Sequence, residues 1–149
     1  VTRGSGAEGP GIGSGVGAAD LNDDGFPDLF VTNRTYYAAG KRVSPAPGQN
    51  RLFVNRGNRN HWIKVRLVGA RGNRNAYGAM IKVTSGDLVQ YHETQSAHGY
   101  NSTSDPVITF GLGARTQVDS IEVRWPDGTT QSLSAPPVGT IAELVEAAR

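Results

Sequence analysis

Hydrophobic and polar residues alternate over several short stretches of the chain, which is the spacing of β-strands that bury one face. His61–Val68 shows the alternation most clearly, and it predicts that Ile63, Val65 and Leu67 face a core. The segment Asp119–Trp125 repeats it, with residues 121, 123 and 125 inward. Shorter stretches predict further strands at Asp28–Asn33, Arg51–Asn55, Ala79–Thr84, Leu88–Thr94, Val107–Phe110 and Thr129–Leu133.

Turn-forming residues separate these strands. Twenty glycines and eight prolines in 149 residues interrupt the chain too often for long helices. Ser85–Asp87 and Pro126–Gly128 have the composition of hairpin turns. The predicted fold class is therefore all-β: an antiparallel β-sandwich or barrel-like domain preceded by a single hairpin. The C-terminal end is open to two interpretations, because Ile141, Leu144 and Val145 recur at the spacing of a short helix, whereas a short strand also fits.

An acidic loop, Asp20–Asp28, carries the sharpest chemical pattern in the chain. Its sequence DLNDDGFPD lies between two predicted strands and places oxygen-bearing side chains at loop positions one, three, five and nine, with glycine at position six. A hard cation such as Ca²⁺ takes about six to eight oxygen ligands, so we predict a Ca²⁺ site. The predicted ligands are the side chains of Asp20, Asn22, Asp24 and Asp28 and the backbone carbonyl of Phe26. An Asp/Asn-rich turn without a metal is the alternative.

Charge is distributed unevenly along the chain, although the net charge is only +2. Residues 34–82 contain eleven Lys or Arg and no Asp or Glu, whereas eight acidic residues follow from position 86 onward. This basic segment offers an alternative function, the binding of an anion or a single-stranded nucleic acid. The aromatic residues that would stack on bases are Tyr36, Tyr37, Phe53 and Trp62. A basic strand face exposed to water explains the same residues, so a nucleic acid is the disfavoured partner.

The sequence RGNRN occurs twice, at residues 56–60 and 71–75. Glycine and asparagine tolerate positive φ, and each copy stands where one strand pattern ends and another begins. We therefore interpret both copies as turns with solvated arginines, rather than as a doubled anion-binding motif.

A polar loop, Gln95–Pro106, is the second candidate site. Within it, His98, Tyr100, Asn101 and Asp105 combine hydrogen-bonding groups with an aromatic ring. Such a combination suits recognition of a carbohydrate or a peptide. A solvated connection between two strands is the simpler interpretation of the same residues.

The composition excludes several classes of function. The chain has no cysteine, so it forms neither a disulfide framework nor a zinc–thiolate site. No apolar run approaches the length of a membrane span, and the sequence shows no signal peptide. Ser102, His98 and Asp105 contain the residue types of a hydrolytic triad, but no nucleophile elbow accompanies them. A hydrolase is therefore the least favoured hypothesis, and we predict a non-enzyme without catalytic residues.

A resemblance to known families covers most of residues 15–134. The N-terminal part resembles an FG-GAP/VCBS-type repeat, the β-propeller blade of integrin-like and related extracellular proteins, over GVGAADLNDDGFPDLFVTN and NRLFVNRGN. In that family the D-x-N-x-D-G-x-x-D loop holds Ca²⁺ at a hairpin. The rest resembles the ASPIC/UnbV domain, which typically follows such repeats. Four stretches carry this second resemblance: HWIKVRLVG, NRNAYGAMIKV, HGYNSTSDPVITFGLG and VDSIEVRWPDG.

These resemblances imply a domain order and a role. We expect a flexible Gly-rich segment at 1–14, an FG-GAP/VCBS-like repeat with one blade-like Ca²⁺-loop hairpin at 15–58, and an ASPIC/UnbV-like β domain at 59–149. The implied function is a non-catalytic calcium-binding β module for protein or glycan contact, in an extracellular, periplasmic or cell-surface location. Because a propeller needs several blades, a single repeat implies a fragment, a short relative, or a homo-oligomer that covers exposed edge strands.

Overall fold

A computed structural model describes residues 12–43 and 48–148. The described strands are β1 Ile12–Ala19, β2 Asp28–Arg34, β3 Tyr37–Ala38, β4 Lys41–Arg42, β5 Arg51–Phe53, β6 His61–Val68, β7 Met80–Ser85, β8 Leu88–Glu93, β9 Ile108–Gly113, β10 Ser120–Arg124, β11 Thr130–Ser134 and β12 Ile141–Val145. Within these residues there is no helix, so the all-β prediction is confirmed. The same residues accordingly contain no helical segment able to cross a membrane. Most of the predicted flexible segment 1–14 lies outside the described residues, and its last three residues belong to β1.

The chain divides into two compact units, and both are discontinuous in sequence. The first contains the chain up to Asn22, Pro27–Arg56 and Ala97–Asp105. The second contains Asp23–Phe26, Gly57–Ser96 and the chain from Pro106 onward. The tip of the acidic loop therefore belongs to the second unit, while most of the polar loop belongs to the first. The predicted domain limits, 15–58 and 59–149, stay a prediction.

The first unit is built on an antiparallel sheet with the order β1-β2-β5. The polar loop runs beside β1: the N–H of Ala18 donates to Ser104 Oγ (3.2 Å), and the N–H of Asp105 donates to the carbonyl of Ala18 (2.9 Å). Glycine is required on β1, because a Cβ at Gly15 or Gly17 would lie 2.9 Å from a backbone carbonyl oxygen of this loop. The glycine-rich sequence of β1 thus has a packing cause.

The second unit is a β-sandwich of two open sheets, with the orders β11-β10-β7-β8 and β12-β6-β9. Buried side chains from both sheets form one hydrophobic core. The inward positions predicted for β6 and β10 are all buried, and Trp125, just after β10, is buried with them. Full burial of one such large apolar side chain contributes about 1.5–3 kcal/mol. Of the two predicted architectures, the sandwich is therefore the one observed, since the described strands close no barrel.

The C-terminal segment is a strand, so the short C-terminal helix considered from the sequence is wrong. β12 pairs with β6 in parallel, from Ile141 opposite Lys64 to Val145 opposite Val68. Ala142 and Leu144 point into the core, whereas Ile141, Glu143 and Val145 are exposed. The free edge of β6 and the apolar core together favour the extended form. The sandwich is consequently not antiparallel throughout.

Both copies of RGNRN lie between strands, as predicted. The first copy connects β5 to β6 and contains Gly57 with φ 65°. The second follows β6, and Arg71 within it is exposed to solvent but also paired. The guanidinium of Arg71 pairs with Asp127 through Nη1, and its Nη2 donates to the carbonyl of Ala147 at 2.6 Å. The second copy is therefore a turn that is fastened to the C-terminal part of the sandwich.

Candidate functional site

Asp28 is buried at the end of the predicted calcium loop and is held by hydrogen bonds. The residue is 1% exposed and begins β2. Its Oδ2 accepts a hydrogen bond from the N–H of Leu21 (3.1 Å), and its Oδ1 accepts one from the N–H of Asn55 (2.8 Å). The carboxylate is buried because these donors replace water around it. Asp28 therefore ties the start of the loop to the segment after β5, a structural role that the sequence pattern did not indicate.

Two residues with positive φ form the turn at the tip of the loop. Asp23 has φ 58° and Gly25 has φ 92°. Asp24 Oδ1 accepts the N–H of Phe26 at 2.9 Å, which closes an Asx turn. Glycine is required at position 25 for a second reason, because a Cβ there would lie 1.8 Å from the indole of Trp62. Backbone conformation and contact with β6 thus set the tip together.

The donor chemistry of this loop fits calcium. All the predicted ligands offer oxygen atoms, and three of them are carboxylates. Each Asp28 oxygen that accepts an N–H also keeps a further lone pair. In the part of the chain that the structure describes, however, no three Asp, Glu or His side chains are gathered as a metal centre. The ligand set Asp20, Asn22, Asp24, Phe26 and Asp28 therefore stays a prediction.

The polar loop, the second predicted site, is held against β1 by its backbone. The N–H of His98 donates to the carbonyl of Ser102 (3.2 Å), and Asn101 adopts φ 51° between them. Tyr100 is 74% exposed, while Asp105 is half-buried where its N–H joins the loop to β1. The structure brings His98, Tyr100 and Asn101 onto one exposed turn. Their role in binding a ligand stays a prediction.

Ion pairs within the second unit account for part of the basic segment. Each pair joins a basic residue from β6, β7 or the turn between them to an acidic residue near the C-terminal end. The pairs are Arg66–Glu143 (3.5 Å), Lys82–Glu122 (2.8 Å) and Arg71–Asp127. The charge asymmetry along the sequence is therefore partly cancelled in space, which weakens the anion-binding alternative.

Ion pairing and turn hydrogen bonds also shift pKa values in this unit. The hydrogen bond to Glu122 raises the pKa of Lys82 above its ordinary value. Hydrogen bonds from the hydroxyl and the N–H of Thr129 lower the pKa of Asp127, and Arg71 lowers it further. These causes are those of surface turns and ion pairs, so the shifts do not mark an acid–base centre.

Glu146 is a buried charge that the sequence interpretation missed. It is 5% exposed, and its Oε2 accepts the N–H groups of Ala70 (2.8 Å) and Arg71 (3.0 Å). Its own N–H donates to the carbonyl of Val68, which extends the β12–β6 ladder. The available signal was position: residue 146 continues the inward alternation of residues 142 and 144. Glu146 therefore fixes the turn after β6 and has a structural role.

Two family models match the chain in succession. Residues 69–149 match ASPIC and UnbV, and residues 12–51 match the FG-GAP repeat. The chain therefore belongs to the ASPIC and UnbV family and carries an FG-GAP repeat before that domain. This order confirms the resemblance drawn from the sequence motifs, and it defines the chain as an all-β module of the kind found in interaction proteins.

Curated relatives share this arrangement over nearly the whole chain. Cartilage acidic protein 1 of Mus musculus is 28% identical over 97% of this chain, and that of Xenopus tropicalis is 27% identical over 97%. Cartilage acidic protein 1 of Homo sapiens is 26% identical over the same share. The chain spans about a fifth of the length of these relatives, 21% in each case.

Proposed function

We propose that this chain is a non-catalytic, calcium-binding β module that makes protein or glycan contacts outside the cytosol. The loop Asp20–Asp28 carries the calcium part, because its oxygen-only donor pattern lies inside the residues that match the FG-GAP repeat, where calcium binding is common. Bound Ca²⁺ would draw three carboxylates together and offset the repulsion between them. Its ligands would be Asp20, Asn22, Asp24, Asp28 and the carbonyl of Phe26.

Exposed apolar side chains on the sheet of the first unit support a protein contact. Val16, Leu29, Phe30 and Leu52, on β1, β2 and β5, are 37–49% exposed. They lie on both faces of the sheet, since Phe30 and Leu52 are cross-strand partners and Leu29 points to the opposite side. Two exposed apolar side chains on each face favour burial of the sheet against other protein surfaces. The proposed partner is a second FG-GAP-type sheet, in another copy of the chain or elsewhere in a longer protein.

We also propose a location outside the cytosol, whether extracellular, periplasmic or at the cell surface. The FG-GAP match and relatives named for cartilage support it. The two families are generally non-catalytic, which favours an interaction role over hydrolysis.

Thermal unfolding in EDTA, in Ca²⁺ and in Mg²⁺ tests the calcium proposal. A ligand that binds only the folded state at 100 times its Kd adds about 2.7 kcal/mol, so we expect a Ca²⁺-specific rise of several degrees in Tm. Asp24→Asn should abolish most of this rise, because the amide keeps an oxygen for the N–H of Phe26 but loses the charge. Asp23→Asn is the matched control, since it removes the same charge at a position that is not a predicted ligand. Asparagine also tolerates the φ of 58°.

Two results would contradict the proposal. One is an unchanged Tm of the unsubstituted chain at millimolar Ca²⁺. The other is an equal Ca²⁺-dependent rise in the unsubstituted chain and in Asp24→Asn. Either outcome would reduce the loop to an Asp/Asn-rich turn.

A further inference from the structure

The outward face of the β11-β10-β7-β8 sheet forms an open depression of about 460 Å³. Ligand sites commonly have volumes of about 300–1,000 Å³, so the depression is large enough for a small molecule. The strand register sets side chains in two rows across this face, Glu122–Lys82–Tyr91 and Arg124–Met80–Glu93.

Tyr91 is the exposed aromatic residue of this face. It is 65% exposed on β8 and stands directly across from Lys82 on β7. A tyrosine ring combines a large apolar surface with a polar hydroxyl, and such rings are favoured where they contact a ligand or a partner. Because most of its surface is exposed, the ring is accessible to a ligand in this depression.

The groups that surround the ring supply both donors and acceptors of hydrogen bonds. Lys82 Nζ lies 2.8 Å from Glu122 Oε1, so the two head groups are paired on the same face as Tyr91. The same hydrogen bond raises the pKa of Lys82, whose amine is charged at neutral pH. Arg124 and Ser132 line the same depression and add a guanidinium and a hydroxyl.

Charge and backbone pairing select among the ligands that this face could take. Lys82 and Arg124 are balanced by Glu122 and Glu93, so the face has no net charge to attract a polyanion. β7 and β10 are paired on both sides, so an extended peptide could add only at the outer edge of β8 or β11 and not across this face. A saccharide ring presents a C–H face that stacks on an aromatic ring, and hydroxyls that both donate and accept. We propose that this face binds a neutral oligosaccharide. Tyr91 would stack on a sugar ring, and the Lys82–Glu122 pair would form hydrogen bonds with the sugar hydroxyls.

This inference rests on the interaction role proposed above and makes its glycan partner specific, without involving the calcium loop. Isothermal calorimetry of the full chain tests it with short neutral oligosaccharides of glucose, galactose, mannose and N-acetylglucosamine. At least one series should bind, and Tyr91→Ala should weaken that binding by about tenfold or more. Tyr100→Ala tests the polar loop as the other predicted saccharide site. Val145→Ala, which removes an exposed apolar side chain from the other sheet, is the control and should leave affinity unchanged.

Three outcomes would overturn the inference. They are a failure of every neutral series to bind, a loss of affinity in Tyr100→Ala but not in Tyr91→Ala, and tighter, salt-sensitive binding of heparin. The calcium proposal is judged separately by the Ca²⁺-dependent rise in Tm. A rise without saccharide binding rejects this face alone, and saccharide binding without a rise rejects the calcium loop alone.

Discussion

Replacing Gly25 by alanine should destabilise the fold in two ways, through backbone strain and through a clash with a neighbouring side chain. Gly25 has φ 92°, and an added Cβ would lie 1.8 Å from the indole of Trp62. A non-glycine residue in left-handed conformation costs about 1–2 kcal/mol, and over-packing a contact adds roughly 1–3 kcal/mol. We therefore expect Gly25→Ala to lower the free energy of unfolding by about 2–5 kcal/mol.

Gly128 provides the matched control for the backbone part of this cost. Its φ is 87°, and nothing lies within 4 Å of a Cβ built on it. Gly128→Ala should therefore lower the free energy of unfolding by only about 1–2 kcal/mol. In a Trp62→Ala background the indole is absent, so Gly25→Ala should cost no more than Gly128→Ala.

Urea unfolding followed by circular dichroism gives these free energies, and Trp125 keeps a fluorescence signal when Trp62 is replaced. The informative quantity is the difference between the two alanine variants in each background. The packing explanation is refuted if Gly25→Ala and Gly128→Ala cost the same in the unsubstituted chain. It is also refuted by an undiminished cost of Gly25→Ala in the Trp62→Ala background.

The remaining predictions concern the end of the chain and its pH dependence. Leu144→Ala should cost about 2–5 kcal/mol and Val145→Ala no more than about 0.5 kcal/mol in urea unfolding, whereas similar costs would contradict strand β12. Because folding lowers the pKa of Asp127, its carboxylate stabilises the fold at pH values above 3.8, its pKa in the unfolded chain. This stability is lost as the pH falls through the pKa of the folded state, so Asp127→Asn should make the free energy of unfolding less dependent on pH in the acid range. Because folding raises the pKa of Lys82, its amine stabilises the fold at pH values below 10.5, and this stability is lost as the pH rises through the pKa of the folded state. Lys82→Met should therefore make the free energy of unfolding less dependent on pH in the alkaline range. For either variant, an unchanged pH dependence of stability would refute the proposed effect of that residue.

The family match shows how far the candidate site could be predicted. The spacing of oxygen donors in Asp20–Asp28 is a local property, so the amino-acid pattern alone was enough to indicate the FG-GAP repeat. The spacing did not indicate that Asp28 is buried and bonded to Asn55, which lies 27 residues away. Nor did it indicate the open face around Tyr91, because that face is assembled from four strands whose order is set by pairing.

Most of the strands of the sandwich could be predicted from the amino-acid pattern alone. β6 was predicted with the bounds observed, and the inward faces of β6 and β10 were predicted correctly. These features depend on a period of two and on turn residues, which act within a few neighbours along the chain. The strand at residues 141–145 and the burial of Glu146 are evident only in the folded chain. A segment of five residues fits two periodicities, so its conformation depends on the edge of β6 and on a core built by residues far away in sequence.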